Sequence, residues 1–276
     1  MTTGSIAEAC AAVLREGEPL AKVKLARRVA RDWRRGMLAH RFDTAMPDSP
    51  GRPDRPELLP PNRMPKRGRG GSEKGRIALL HALAHIEFSA IDLAFDAAGR
   101  FGGQFPRRFV NDWISVGADE AMHFAVLHRR LRTLGSGYGA LPAHAGLWEA
   151  AEATAHDAMA RLAIVPMVLE ARGLDVTPET VARFRGGGDE TSARILHRIF
   201  TDEIRHVGFG AKWFGYLAAG HDIEPAAHWQ MLVRRYFRGV VKPPFNVSAR
   251  ESAGLTRDFY EPLADMEPMT AQADRL

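Results

Sequence analysis

From Arg76 onward the apolar residues recur at helical spacing in four stretches, at about 76–99, 106–135, 147–173 and 189–219, and the alternation that marks strands is missing. Four long amphipathic helices bury their apolar stripes most readily against one another, so the chain is predicted to be all-α and to build a helix bundle. The segments GRFGGQFP, GSGYGALPAHAG, GLDVTP and RGGGD carry turn residues between the stretches. A shorter helix near 224–238 and an irregular tail containing KPPFNVSAR are expected after the bundle.

Ahead of the bundle, residues 5–38 read as one or two modest helices, with Ile6, Cys10, Val13 and Leu14 and then Leu20, Val23, Leu25, Val29 and Trp33 as apolar positions. The next segment, 44–75, is dense in Pro, Gly and Arg and is expected to be an extended connection or strap. Its GRGGSEKG lacks the spacing of a phosphate-binding loop and no strand precedes it. The expected organisation is therefore a basic helical N-terminal extension (1–43), a connection (44–75), the bundle (76–219), and a C-terminal helix with its tail (220–276).

Each bundle helix carries a polar residue in the middle of its apolar face. On the first, Leu80, Leu83, Ile91, Ala94, Phe95 and Ala98 surround Glu87; on the second, Phe109, Trp113, Val116, Phe124, Leu127 and Leu131 share a face with Glu120 and His123. On the third, Met159, Leu162, Ala163 and Met167 flank Glu170; on the fourth, Ile195, Leu196, Ile199, Val207, Trp213, Phe214 and Leu217 flank Glu203 and His206. A buried ionised carboxylate must be paired, hydrogen-bonded or bound to a metal. One Glu, then Glu-x-x-His, then one Glu, then Glu-x-x-His is the ligand set of a di-iron carboxylate bundle, since residues three apart on one helix face can reach the same ion. Glu87 to Glu170, Glu120 to Glu203 and His123 to His206 span the same interval of 83 residues, as two related helix pairs would give. Both motifs read DExxH and not HExxH, which disfavours mononuclear zinc hydrolysis. Asp119 and Asp202 are candidates to orient the imidazoles by accepting the Nδ1 proton, with Arg205 in the same network; as isolated residues they would equally be exposed helix-surface groups.

The paired DExxH motifs with their single glutamates resemble the ferritin-like di-iron superfamily. The wider wording, LLHALAHIEFSAIDLAFDAAGRF, DWISVGADEAMHF, YGALPAHAGLWEAA, VLEARGLDVTP, DEIRHVGFG and KPPFNVSARESAG, is similar to a bacterial ferritin-like family, domain of unknown function 455, from about Pro50 to about Gly254. The resemblance implies a ferritin-like four-helix bundle with Glu87, Glu120, His123, Glu170, Glu203 and His206 as ligands of two iron ions, with manganese or a mixed pair as the variant. It implies no substrate; more distant relatives include an oxygen-dependent tRNA hydroxylase.

His81, His85, Asp92 and Asp96 form a second stripe on the first helix, offset from Glu87, and are expected to make a buried or interfacial hydrogen-bond network beside the ligands; a partly solvated face is the competing reading. His144 and Glu149 are candidates for a site entrance, or simply for capping and loop packing. Pro166 stands four residues before Glu170 and is expected to kink the helix or open a π-bulge there. Trp113, Trp148, Trp213, Phe124 and Phe214 read as core or pocket lining. Tyr138, Tyr216, Tyr236 and Tyr260 lie away from the ligand stripes, which argues against a stable tyrosyl radical.

Composition narrows the chemistry. A single cysteine, Cys10, excludes a four-cysteine metal site and an internal disulfide, and leaves no rubredoxin-type centre. No uninterrupted apolar run approaches the roughly 20 residues of a spanning helix, and the opening lacks signal-peptide order, so a cytoplasmic location is expected. The basic excess sits in residues 1–76, with 17 Lys and Arg against 9 Asp and Glu. Lys22, Lys24, Arg27, Arg28, Arg31, Arg34 and Arg35 read as a solvated helix face, with nucleic-acid contact as the less favoured reading. The functional expectation is an O2-activating oxidoreductase that hydroxylates or oxidises an unidentified organic substrate with an external electron donor. Ferroxidase or iron storage, peroxide detoxification, and a metal-stabilised RNA-binding module are the alternatives.

Overall fold

The computed structural model of the chain describes residues 4–65 and 72–264. Among the described residues the protein is all-α, and β pairing is limited to isolated bridges at Ser5–Ala39 and Leu58–Ala143. It divides into two compact units, Met1–Glu152 with Glu179–Ile199, and Ala153–Pro178 with Phe200–Leu276.

In the first unit, α1 (Ile6–Arg15) and α2 (Pro19–Arg34) precede the extended strap, and α3 (Glu73–Phe101) and α4 (Arg107–Thr133) come after it. Ser5 opens α1 by accepting from Glu8 N at 3.0 Å, and Ser72 opens α3 by accepting from Gly75 N at 3.1 Å. That cap starts α3 three residues before Arg76, inside a Gly-rich stretch whose composition argues for a loop. Helix α3 packs along α4, with α1 against α3 and α2 against α4. Ile6, Leu14, Leu80, Phe88, Ile91, Phe95, Phe109, Phe124 and Leu127 are fully buried or nearly so, each contributing about 1.5–3 kcal/mol by burial. Gly117 keeps α3 and α4 close: a Cβ there would lie 2.5 Å from the Phe95 ring. Among its described residues the strap contains one short 3₁₀ turn, Pro61–Arg63; residues 66–71 of the Pro/Gly/Arg-rich segment lie outside the described residues.

Two expectations are corrected here. Lys22 is not on a solvated face; its side chain is fully buried against Asp92, while Lys24, Arg27, Arg28, Arg31, Arg34 and Arg35 are exposed. Continuity of apolar residues also understates α3, because Glu73–Gln104 is long and apolar enough to cross a membrane, with 67% of its apolar window buried inside the protein. Small residues and isolated polar ones interrupt the apolar run but leave its mean hydropathy high, and the burial makes it a core helix.

The third periodic stretch is not one helix. It breaks into α5 (Gly146–Ala153), α6 (Ala158–Ile164), a π-helical segment Val165–Glu170, and α7 (Ala171–Gly186). Asp157 restarts the chain by accepting from Met159 N at 2.8 Å and Ala160 N at 3.1 Å. The π segment is the distortion expected at Pro166, and Trp229 Nε1 donates to the Ala163 carbonyl in the turn before it, at 3.2 Å. GLDVTP does not end the helix: Pro178 lies inside α7. Proline there leaves the Leu174 carbonyl without its N–H donor, and Asn246 Nδ2 supplies one at 3.1 Å.

After α8 (Glu190–Gly220) and α9 (Pro225–Tyr236), the tail is more regular than its composition suggests, forming α10 (Val247–Ser252) and α11 (Arg257–Ala264). Helix α9 packs against α6 and α11. Arg250, almost fully buried, holds the tail by donating to both Asp175 oxygens at 2.8 and 2.7 Å, with its guanidinium against Phe245 and Tyr260.

Candidate metal centre

Glu87 stands midway along α3, and Glu120 and His123 occupy consecutive turns of one face of α4. All three are buried, at 4%, 1% and 0% exposure. His123 Nδ1 lies 3.1 Å from Glu87 Oε2 and 3.3 Å from Glu120 Oε2, and each residue offers a ligand atom within 4.8 Å of the others. A hard or borderline divalent cation takes carboxylate and imidazole donors of this kind. Without one, burial and then the charge of Glu120 push the Glu87 carboxyl well above the usual carboxylate range, against the pull of His123.

The second unit carries the counterpart on α8, where His206 Nδ1 lies 3.5 Å from Glu203 Oε1; His206 is fully buried and the Glu203 side chain is 13% exposed. Glu170 is half-buried at the end of the π segment.

The Nδ1 proton is not the one that an orienting aspartate would accept. In both histidines Nδ1 faces the glutamates, so Nε2 is the nitrogen left for an orienting partner; one helical turn between i and i+3 is short enough to bring Nδ1, the nearer ring nitrogen, to the carboxylate. Asp119 is half-buried, Asp202 is buried at 7% exposure, and Arg205 is exposed.

The second stripe on α3 is a buried network. His81, His85, Asp92 and Asp96 are between 0% and 6% exposed. His85 Nε2 must donate to the His144 carbonyl at 3.1 Å, which leaves Nδ1 to accept from Tyr138 Oη–H at 2.9 Å. Burial, reinforced by the Arg52 charge, pushes His85 down to about 4, so the ring is neutral. His81 Nε2 accepts from Gly139 N at 2.9 Å, Arg100 pairs with Asp96, and Lys22 and Arg52 approach Asp92. The stripe thus ties the loop after α4 and the N-terminal segment to the ligand-bearing helix. His144 serves loop packing, its Nδ1 accepting from Gly146 N, and Glu149 is exposed.

Two features of this network have no signal in the spacing of α3. Lys22 and Arg52, the cations beside Asp92, are drawn from elements remote in sequence. Tyr138 comes from the loop and packs its ring against Phe88 and Phe124, neighbours of Glu87 and His123.

No solved structure matches the chain. An uncharacterized protein of Haemophilus influenzae is 41% identical over 221 residues, covering 78% of this chain and 76% of that protein. Residues 15–261 match the family described as "Protein of unknown function (DUF455)", and the chain, with its buried carboxylate–histidine cluster inside that span, belongs to this family.

Proposed function

We propose that the chain is a ferritin-like di-metal carboxylate oxidoreductase, holding two iron ions or a manganese-containing pair and using O2 to hydroxylate or oxidise an organic substrate. The observation that carries the reading is the buried cluster of Glu87, Glu120 and His123, with ligand atoms within 4.8 Å of one another on two packed helices of one unit. Glu203 and His206 repeat the α4 pair at the same sequence interval, and Glu170 stands where a second single glutamate is required.

The charge balance supports the assignment. Four carboxylates neutralise two divalent ions, so the loaded centre adds no net charge to an apolar interior. A ferrous pair held there supplies the electrons that reduce O2. The chain's own part is to fix the donors: Gly117 lets α3 and α4 approach, and His123 presents Nδ1 toward both carboxylates.

The test is metal loading followed by oxygen. Anaerobic addition of excess ferrous ion and then O2 should leave about two irons per chain, with a metal–metal separation of about 3.5–4 Å by X-ray absorption. Glu120→Ala and Glu203→Ala should each lower the content. Accumulation of tens of ferric ions per chain would favour storage instead, and two isolated metals without a short separation would refute the dinuclear reading.

A further inference from the structure

Away from the ligand cluster, the first unit has a cleft of about 380 Å³ between α2 and α4, within the size range of small-molecule sites. Ala30, Trp33 and Ile114 make its buried apolar floor. Arg34, Arg107, Asn111 and Ser115 line the rest, and no carboxylate joins them.

The polar groups are set as donors. The Arg107 guanidinium lies 3.8 Å from the Trp33 ring centroid, a stacked position that orders it before any ligand arrives. Trp33 Nε1 donates to Asn111 Oδ1 at 2.8 Å. That bond fixes which end of the amide is the oxygen and leaves the Asn111 NH₂ as the donor the side chain offers. Neither Arg34 nor Arg107 pairs with a carboxylate among the described residues, whereas neighbouring Arg31 is paired with Asp32 at 3.0 Å. Two guanidiniums, an amide NH₂ and a hydroxyl over an apolar floor match a ligand with a negative end and a small apolar body.

We infer that this cleft is a binding site for a small organic anion, a carboxylate or phosphate monoester carrying a planar apolar group. The inference is independent of the metal reading, because none of its residues is a candidate ligand.

Isothermal titration at fixed ionic strength tests it, with phenyl phosphate and benzoate as anionic probes, phenol as the neutral analogue and inorganic phosphate as the bare anion. At least one organic anion should bind about tenfold or more tighter than phenol and than inorganic phosphate; whichever binds more tightly names the acid group. Asn111→Asp keeps the acceptor for Trp33 but adds a negative charge to the cleft, and should weaken binding at least about tenfold while leaving the thermal midpoint and metal content unchanged. Arg34→Ala, at an exposed position, should weaken it similarly. Equal binding of phenol, equal binding of inorganic phosphate, indifference to both substitutions, or no binding up to about 10 mM would overturn the inference. So would binding of a ten-residue oligouridylate by a chain that takes neither organic anion, which would make the cleft part of a polynucleotide surface.

Discussion

Replacing Lys22 with Met isolates the energetic role of the N-terminal helices. Lys22 Nζ lies 2.5 Å from Asp92 Oδ1 with both side chains fully buried; it also donates to the Gly51 carbonyl and sits over the Phe88 ring. Burial pushes the Lys22 ammonium down and the Asp92 carboxyl up, and each charge opposes the shift of the other. Screened by an effective dielectric of 20, the attraction at this distance is about 7 kcal/mol before desolvation is subtracted. Removing one member of such a pair typically costs about 3–5 kcal/mol. Arg52 Nη1, at 3.6 Å from Asp92 Oδ2, remains as a partial partner and puts Lys22→Met near the lower end, at about 3 kcal/mol. For a chain of this size that corresponds to a fall of about 6–12 °C in thermal midpoint. The double variant Lys22→Met, Asp92→Leu removes both charges and should recover to within about 1 kcal/mol of the parent. Urea unfolding followed by circular dichroism measures the parent, Lys22→Met, Asp92→Leu and the double variant. A single-variant cost below about 1 kcal/mol, or a double variant as unstable as the sum of the single ones, would refute the view that Lys22 compensates a buried Asp92.

His85 should shape the acid limb of stability. Its folded pKa of about 4 lies below the unfolded value of 6.5, so the unfolded state takes up the proton first and stability falls as pH drops from about 6.5 toward 4, by about 3 kcal/mol in all; midpoints of chelator-treated His85→Gln against pH should show a shallower limb, and an unchanged slope counts against this. Asn246→Ala should cost about 2 kcal/mol by orphaning the Leu174 carbonyl and uncapping α10, and adding Pro178→Ala, which restores an N–H, should return part of that loss. The exposed arginines of α2 should not make the chain an RNA binder: filter binding at about 0.15 M salt is expected to show no retention, and Arg27→Ala, Arg28→Ala, Arg31→Ala and Arg34→Ala together should leave metal content unchanged. Salt-dependent retention that this quadruple variant abolishes would contradict that expectation.

Helical periodicity is a sufficient guide wherever one helix face meets one core. The boundaries of α3, α4, α8 and α9 agree with it to within three residues, and Glu87, Glu120 and His123 stand out because ionisable groups rarely occupy the middle of an apolar stripe. Spacing fails where a side chain distant in sequence decides the backbone. Pro178 reads as a helix stop until Asn246, 68 residues later, supplies the missing donor. Lys22 reads as one of a row of surface cations because nothing within α2 announces Asp92. Tyr138, in an irregular loop, carries no periodic information at all, yet it fills the space between Phe88, Phe124 and His85.

The equal intervals of 83 residues record a symmetry of limited kind. Glu87 is carried by an uninterrupted α-helix, so its direction is set by α3 and by the packing of that helix on α4. Glu170, the residue at the same interval, ends a π-helical segment. A π turn accommodates one residue more than the α turn it replaces and so rotates the residues beyond it by about 100° relative to a regular wheel. Met159, Leu162 and Ala163 lie before that rotation, so a wheel drawn straight through them misplaces Glu170. Its direction depends instead on Pro166, which withholds an N–H, and on Trp229, which satisfies the Ala163 carbonyl from α9. Two glutamates with the same place in a repeated pattern are therefore held by unlike means, and the repeat in the sequence is a repeat of ligand type and interval, not of backbone.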